Sequence, residues 1–291
     1  MRNIFIPLLI EEARHNPDLF FLTADLGFNA LEPFKDEFPE RIINVGVAET
    51  NMIGVAAGLA LSEKTVCVYS IVPFVTFRCF EQIRNDVCHN NLNVKLIGVG
   101  GGFSYGNQGI SHNPTEDLAV MRTLPNLTIL CPGSKTEAEL VIKTMFELSG
   151  PVYLRLSLAP KKSIYKTIPE YKIGKGLIVK DGKDLTIISV GNIVEEIVKV
   201  GEMLEENGIN AQLISFPFLK PINSDYILKI AQNNRPIFTV EEHGEIGGLG
   251  GAISEILMES DYSNVLFKKF ALSDECHNDI GSQKYLREKK G

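Results

Sequence analysis

The sequence predicts an α/β fold of two doubly wound domains: a larger domain with a mainly parallel sheet, then a smaller α/β domain. Short apolar runs alternate with helical patterns along most of the chain, which is typical of βαβ units. The apolar runs lack strict alternation, as expected for parallel strands covered on both faces. The 291 residues also exceed what one hydrophobic core usually organises.

The first series of elements is assigned from runs rich in β-branched residues and from apolar residues at helical spacing. In chain order we predict a helix over 5–15, a strand over 19–23, a β-rich run ending at Gly46, a helix beginning near Glu49, a strand over 65–69, a helix over 75–90, a strand over 94–98, a helix over 115–122, a strand over 127–131, a helix over 135–148 and a strand over 152–156.

A basic, turn-rich stretch separates the two series and is typical of a link between domains. We therefore predict domains over 1–160 and 184–291, joined by a linker over 161–183. The second series contains predicted strands over 185–190, 211–216 and 236–241, and predicted helices over 193–207, 225–232 and 249–258. The Asn207-Gly208 pair is a clear helix stop.

Composition narrows the classes of function. The net charge is −7 and 44% of the residues are hydrophobic, so nothing favours nucleic acid or a membrane surface as partner. The apolar part of the N-terminus is too short for a signal peptide, and we expect a cytoplasmic protein. The five cysteines show no Cys-x-x-Cys spacing, and we interpret them as reduced and structural.

Several polar residues fall at the predicted carboxyl ends of strands, where ligands bind in open α/β sheets. They are Asp25, Glu49, Ser70, the loop over 98–112 and Arg155. Glu49 stands out because it joins a strand to a helix of small, apolar residues. A carboxylate in the first turn of a helix commonly complements the helix dipole. Desolvation in apolar surroundings would also raise its proton affinity, which suits proton exchange with a ring nitrogen.

The stretch over 43–60 closely resembles the pyrimidine-binding domain of transketolase-family enzymes. In that family a glutamate in a similar turn binds the aminopyrimidine of thiamine diphosphate, so the resemblance implies a catalytic and cofactor-binding role for Glu49 and a cofactor-binding role for Asp25. The bound cofactor would provide a carbanion that attacks a carbonyl. The resemblance covers essentially the whole chain, but only the latter two-thirds of a standard transketolase.

Phe74, Phe77 and Phe80 are spaced by three, which on one helix would form an aromatic ladder. A stripe of this kind alone is typical of a helix facing the core. The resemblance implies instead that these residues bind the cofactor by stacking on the aminopyrimidine. Phe74 and Phe77 fit that role best, and Phe80 also fits a structural one.

The segment over 105–118 is similar to the family loop G-x-D-G-P-T-H. His112 matches the motif histidine, which implies a catalytic role facing the substrate carbonyl, although a histidine before Asn-Pro is also typical of a loop or cap. Gln108 replaces an aspartate that contacts a sugar hydroxyl. Further departures from the family pattern are Gly100, Asn29 and Leu158. They predict a depleted phosphate pocket and a substrate other than the usual sugar phosphates.

Two arginines are candidate substrate contacts, since a guanidinium can bind phosphate or carboxylate through two hydrogen bonds. Arg2 has the spacing before Asp25 of a substrate-phosphate arginine in transketolases. Arg155 resembles an arginine used in deoxyxylulose-phosphate synthases. Most arginines are solvated surface groups, and that alternative applies to both.

Two glycine-rich segments carry weaker signals. Residues 98–102 lack the G-x-G-x-x-G order of a dinucleotide loop. Residues 240–251 contain Glu-Glu-His, but they match a structural signature of the transketolase C-terminal domain, so we assign no metal ligand in this chain. The family's G-D-G unit, which holds the diphosphate through Mg²⁺ or Ca²⁺, is absent. The resemblance therefore implies a separately encoded diphosphate-binding subunit that holds most of the metal site, with two copies of each chain.

The leading hypothesis is the C-terminal subunit of a split transketolase that transfers a two-carbon ketol unit between sugars or sugar phosphates. A deoxyxylulose-phosphate-synthase-like enzyme and the beta subunit of a 2-oxoacid dehydrogenase are the enzymatic alternatives. The Gly-Ile-Ser-His loop favours transketolase, while Arg155 favours the synthase. A catalytically degenerate binding or regulatory subunit is the non-enzymatic alternative.

Overall fold

The structure is a computed structural model that describes residues 1–27, 29–158, 163–165, 167 and 169–290, and only the backbone of Arg2. Its strands are β1 (Leu19–Thr23), β2 (Ile42–Asn44), β3 (Thr65–Ile71), β4 (Val94–Val99), β5 (Thr128–Leu130), β6 (Val152–Leu156), β7 (Leu177–Lys180), β8 (Leu185–Val190), β9 (Ala211–Ser215), β10 (Phe218–Lys220), β11 (Ile237–Gly244) and β12 (Phe267–Leu272). Its helices are α1 (Arg2–His15), α2 (Glu32–Glu37), α3 (Glu49–Leu61), α4 (Val72–Thr76), α5 (Phe80–Gln82), α6 (Asp117–Arg122), α7 (Lys135–Glu147), α8 (Val194–Glu206), α9 (Ser224–Ala231), α10 (Leu249–Met258) and α11 (Gln283–Lys290).

Seven strands form the first sheet, in the order β10-β5-β6-β4-β3-β1-β2. Strands β1 to β6 pair in parallel, and β10 runs antiparallel to β5 at one edge. Within β3, Cys67 and Tyr69 share a core with α1 and α7, whereas Val66 and Val68 share a core with α3. Helices therefore cover both faces of this sheet, which explains its strongly apolar strands and confirms the predicted α/β class.

The second sheet has the order β12-β11-β8-β9-β7, parallel except for β7, which is antiparallel to β9. Strand β7 lies inside the stretch 161–183 that was predicted to be a linker, so the second sheet begins before residue 184. Strand β10, although it follows β9 in the chain, completes the first sheet. The predicted domain boundaries stay a prediction. The sequence did not indicate that a strand from the second half of the chain, β10, would join the sheet of the first half.

The predicted continuous helix over 75–90 is wrong. Helix α4 ends at Thr76, Cys79 has the non-helical dihedrals φ −106° and ψ 9°, and α5 then runs directly into a π-helical turn over Ile83–Cys88. Because the helix is interrupted between Thr76 and Phe80, the three phenylalanines do not lie along one side of a single helix and do not form one ladder. π-helical turns are rare and are frequently found at functional sites.

Elements with weak local patterns were missed by sequence reasoning: α2, β7, β10, β12 and α11. Of these, α11 packs against the 3-10 turn over Gly102–Gln108. All five cysteines are free, and only Cys276 is exposed. No helix within the described residues is long and apolar enough to cross a bilayer.

Candidate active site

The predicted site is centred on Glu49, the first residue of α3. The strand before it is anchored at the end of β1, because the amide of Val45 donates to the carbonyl of Thr23 at 3.0 Å. The side of α3 that carries Met52 packs into the core and draws Glu49 inward, so that Glu49 is only 1% exposed. Gly54 and Gly58 lie on the outer side of α3, where an added Cβ would have no neighbour within 4 Å.

Arg78 is the main partner of Glu49, and sequence reasoning missed it. One guanidinium nitrogen of Arg78 lies 2.5 Å from Glu49 Oε2, and the Ser70 hydroxyl donates to Glu49 Oε1 at 3.4 Å. The Arg78 side chain is 46% exposed although its partner is buried. This carboxylate is therefore covered on its outer side by one half-exposed cation. Behind the pair, burial together with the nearby Glu49 charge raises the pKa of Cys79 to about 12, so that thiol stays neutral.

Aromatic contacts connect this ion pair to the predicted catalytic histidine. The Arg78 guanidinium lies over the Phe74 ring at 4.7 Å from its centroid. The same ring meets His112 edge-on at 5.1 Å, and His112 also lies 6.4 Å from the Tyr105 ring. The structure thus brings together Glu49, Phe74 and His112. The sequence carried no periodic signal for the Arg78 contact, because α4 ends at Thr76 and Arg78 lies in the turn beyond it.

The other two phenylalanines have different surroundings. Phe77 is 38% exposed, while Phe80 is partly buried and packs against the main core. The contact of Phe80 with the core favours its structural role. The predicted cofactor contacts of both residues stay predictions.

The loop that carries His112 is built from two short 3-10 turns, Gly102–Gln108 and Ile110–His112. Gly100 precedes it with φ +90°, and a Cβ there would lie 2.3 Å from the Tyr105 ring, so the loop needs glycine at this position. The Ser111 hydroxyl lies 3.0 Å from His112 Nδ1. Gln108 is exposed on the same loop and is free to meet a ligand there.

Asp25 and Asn29, in the segment between β1 and α2, are held by local hydrogen bonds. Asp25 has φ +55° at the end of β1; its amide donates to Asn44 Oδ1 and its carboxylate accepts from the Asn44 amide at 3.0 Å. The Asn29 amide donates to Glu32 Oε1. The Asn44 side chain also accepts from the amide of Gly46. Asp25 therefore supports the turn before Glu49, and its predicted cofactor contact stays a prediction.

Arg155 lies inside the protein and not on a surface open to substrate. It is 3% exposed, and its guanidinium donates to both oxygens of Asp117 at 2.9 and 3.0 Å and to the carbonyl of Pro114. Burial by itself lowers the pKa of Arg155, but Asp117 outweighs it and the pKa is raised. The Tyr153 hydroxyl donates to the same carboxylate, and burial raises the pKa of that tyrosine. These contacts favour a structural role over the predicted contact with substrate.

A cavity of about 670 Å³ opens beside the histidine loop. Its lining includes Gly100, Ser104, Tyr105, Ser157 and Leu158. The buried Ser157 hydroxyl has no hydrogen-bond partner among the described residues. This space extends the site from His112 toward the N-terminal end of α7. The predicted substrate contact of Arg2 cannot be placed in it, because that side chain lies outside the described part of the structure.

The chemistry of these groups fits the pyrimidine half of a thiamine cofactor. A buried carboxylate can accept a hydrogen bond from a ring nitrogen, and an adjacent aromatic ring can cover the face of a heteroaromatic ring. Glu49 and Phe74 provide this pair. Beside His112, the buried side-chain amide of Asn113 has no hydrogen-bond partner in the described residues. The described part of the chain contains no group of three or more His, Cys, Asp or Glu residues arranged to hold a metal ion.

Known proteins match the chain over nearly its whole length. Residues 1–159 match the family model of the transketolase pyrimidine-binding domain, and residues 174–286 match that of the transketolase C-terminal domain. A putative transketolase C-terminal section from Methanocaldococcus jannaschii is 41% identical over 92% of this chain and 85% of its own length. One of the subunits of an apulose-4-phosphate transketolase from Actinobacillus succinogenes is 32% identical over 100% of this chain and 94% of its own length.

Two further matches bear on assembly and on reaction type. A solved structure described as a split gene transketolase, inactive beta4 tetramer, is 34% identical, superposes with a TM-score of 0.87 and covers 100% of this chain and 93% of its own. A 1-deoxy-D-xylulose-5-phosphate synthase from Syntrophus aciditrophicus is 32% identical over 94% of this chain, which spans 42% of that enzyme. The predicted family is thereby confirmed, with the synthases as a related group. The chain belongs to the transketolase family and corresponds to the C-terminal subunit of its split members.

Proposed function

We propose that this chain, with a separately encoded diphosphate-binding subunit, forms a thiamine diphosphate-dependent transketolase that moves a two-carbon ketol unit between sugars. The observation that carries the proposal is the buried Glu49 carboxylate, whose partner Arg78 lies over the Phe74 ring, which in turn meets His112 edge-on. A relative named as one subunit of a transketolase, and a split-gene relative described as inactive in its beta4 form, support a second kind of subunit. Two copies of each chain are the simplest assembly, with Mg²⁺ or Ca²⁺ held mainly by the partner.

The site residues of this chain would each have a separate role around the cofactor. Glu49 would hold a proton between its carboxylate and the pyrimidine ring nitrogen, in a site where water has little access. Phe74 would cover the pyrimidine face, and His112 would donate a hydrogen bond to the substrate carbonyl oxygen. When bound, the cofactor supplies the nucleophilic carbon that the protein lacks. Arg78 would orient Glu49 in the free chain and give way when the cofactor binds.

Glu49→Gln in the assembled enzyme tests the proposal. We would co-express this chain with the candidate partner and measure ketol transfer in thiamine diphosphate and magnesium. The substitution should lower kcat by about 10²- to 10⁴-fold while assembly persists, as expected for a proton-transfer residue. Glu63→Gln is the matched control, because Glu63 is exposed just beyond α3. Equal rates for wild type and Glu49→Gln, or tight metal-dependent cofactor binding by this chain alone, would contradict the proposal.

Phe74→Ala and Phe77→Ala test which aromatic residue covers the pyrimidine. Phe74 contacts both Arg78 and His112, whereas Phe77 is 38% exposed. Loss of a stacking ring costs about 1–3 kcal/mol per base in single-stranded nucleic-acid binding, so we expect at least roughly tenfold weaker cofactor binding for Phe74→Ala. Calorimetric titration of the assembled enzyme with the cofactor would measure the dissociation constant for each of the two variants. A larger loss for Phe77→Ala would assign the stack to that residue instead.

A synthase-like condensation of pyruvate with an aldehyde is the second candidate function. The 32% identity to a deoxyxylulose-phosphate synthase favours it, although Arg155 is committed to Asp117. Donor profiling separates the two reactions: a ketose donor with retention of all carbon supports ketol transfer, and pyruvate with CO₂ release supports the synthase. Consumption of a 2-oxoacid only in the presence of a lipoyl acceptor would indicate the 2-oxoacid dehydrogenase type. Cofactor binding without any turnover would support the non-enzymatic alternative.

A further inference from the structure

A buried carboxylate of the second half of the chain holds the loop that leads to His112. Glu242, in β11, is 5% exposed. The backbone amide of Phe103, at the start of that loop, donates to Glu242 Oε1 at 2.7 Å. The two residues are 139 positions apart in the sequence. Charge on the acceptor makes such a hydrogen bond stronger than one between neutral groups.

The C-terminal helix fixes Glu242 from its other side. The Arg287 guanidinium donates to Glu242 Oε2, and the Gln283 amide donates to Oε1 at 2.8 Å. Arg287 also donates to Asn192 Oδ1 and lies near Glu196. The buried charge of Glu242 is therefore paired, and its orientation toward the loop is set by α11 and by the turn after β8. A buried carboxylate with fixed partners is a rigid support for a neighbouring backbone.

The loop fits against this support closely enough to require glycine. Gly102 has φ +60°, and an added Cβ would lie 2.2 Å from Glu242 Oε1. On the next turn, a Cβ on Gly106 would lie 2.4 Å from Leu286 Cδ1. The amide of Gly281 donates to the Gly106 carbonyl at 3.2 Å. The first 3-10 turn of the loop is therefore held on two sides by residues from the C-terminal part of the chain.

The supported turn also carries the residues nearest His112. Tyr105 lies within this turn, and its ring is 6.4 Å from that of His112. Phe103 forms a small buried cluster with Leu272 and Leu286, which anchors the turn on the side of β12 and α11. A shift of this turn would move Tyr105, and through it the ring of His112 and the edge of the adjacent cavity.

We propose that Glu242 is a positioning residue for the substrate side of the active site, acting through the loop and not by contact with cofactor or substrate. The inference rests on the proposed function only where turnover is measured. It assigns to the C-terminal half, whose sequence signature had suggested only a structural role, a share in placing Tyr105 and His112. Glu49 and Phe74, on α3 and α4, do not depend on this support.

Hydrogen exchange of the free chain tests the structural step without any activity. Glu242→Ala removes the acceptor of the Phe103 amide. Loss of this hydrogen bond should speed exchange in the peptide over 102–112 by roughly tenfold or more. The peptide over 49–61 should keep its wild-type exchange. Glu242→Gln retains an acceptor and should restore most of the protection. Glu245→Gln, exposed in the neighbouring turn, is the matched control. Unchanged exchange over 102–112 in Glu242→Ala would overturn the proposal.

Kinetics of the assembled enzyme test the consequence. Misplacement of a reacting group by about 1 Å can cost 10²-fold, so Glu242→Ala should lower kcat/KM for the sugar by about 10- to 100-fold while cofactor affinity stays at the wild-type value. Glu242→Gln should recover part of the loss, and Glu245→Gln should match wild type. Equal losses in cofactor affinity and turnover would indicate general destabilisation and overturn the positioning role. Absence of ketol transfer in the wild-type assembly would refute the proposed function and leave the exchange result standing.

Discussion

Two carboxylate–arginine pairs, Glu49–Arg78 and Asp117–Arg155, differ in how completely the protein surrounds them. Asp117 and Arg155 are both buried, and every contact described for the guanidinium is made inside the protein. Glu49 is equally buried, but its arginine is 46% exposed and makes a single short contact with it. The Asp117–Arg155 pair is closed, and the Glu49–Arg78 pair is open to exchange of partners.

This difference distinguishes a pair that supports the fold, Asp117–Arg155, from a pair that can belong to a ligand site, Glu49–Arg78. A closed pair can accept a ligand only if several internal hydrogen bonds break. Each break would leave a buried polar group without a partner, which costs free energy. An open pair can exchange its arginine for a ligand at little cost, because water already solvates much of the guanidinium. Glu49 therefore combines burial with a removable partner. Asp117 has the burial but not the access.

The largest effect is expected from breaking the closed pair. Asp117→Ala would leave the Arg155 charge buried without its partner and should lower the free energy of unfolding by about 3–5 kcal/mol. Urea denaturation followed by circular dichroism would measure the change. Asp181→Ala is the control, since Asp181 is exposed, and it should stay within about 0.5 kcal/mol of wild type. A similar stability for both variants would show that the pair is not structural.

A smaller effect is expected from breaking the open pair. Arg78→Ala should change the free energy of unfolding little, because water can reach Glu49 where the guanidinium was. In a double-mutant cycle with Glu49→Gln we expect a coupling energy of about 1–2 kcal/mol, above that of exposed pairs because Glu49 is buried and below that of a buried pair because Arg78 is half exposed. Raising the salt concentration should reduce it further, since the exposed side is screened. A coupling as large as that of Asp117 with Arg155 would remove the distinction between the two pairs.

The sequence was sufficient for features set by local pattern. The alternation of apolar runs and helices predicted the parallel sheet, and the strand-to-helix junction placed Glu49 at the start of α3. The sequence did not predict contacts that depend on the packing of several elements. Arg78 reaches Glu49 only because the helix breaks after Thr76, and a break followed by a π-helical turn has no strong local signature.

Arg155 and Glu242 illustrate the second limit. A charged residue near the end of a parallel strand can face a ligand or a buried partner, and the pattern of β6 does not say which. Asp117, the first residue of α6, decides it by accepting hydrogen bonds from the Arg155 guanidinium. Glu242 acts on a residue 139 positions away, and the helix that holds it was not predicted. Contacts between distant segments are set by the whole fold and leave no periodic pattern in the sequence.

A third buried carboxylate, Glu137, extends the comparison to one held by neutral donors. It is fully buried in α7 and accepts from the Tyr165 hydroxyl at 2.6 Å and from the amide of Gly133. Burial raises the pKa of Glu137, and the hydrogen bonds from Tyr165 and Gly133 only partly oppose it. Burial therefore disfavours the ionised form of Glu137.

The sign of the pH dependence follows from this raised pKa. Between the ordinary carboxyl pKa near 4.5 and the higher value in the folded state, the folded chain binds more protons than the unfolded chain. The contribution of Glu137 to the free energy of unfolding therefore decreases as pH rises through this interval. Glu137→Gln does not titrate and, like the protonated carboxyl, has one accepting oxygen and one donating group, so at acid pH it should match wild type within about 0.5 kcal/mol. In urea titrations run side by side, the wild type should become less stable relative to Glu137→Gln as pH rises toward neutral, and a pH-independent difference would show that the pKa of Glu137 is not raised.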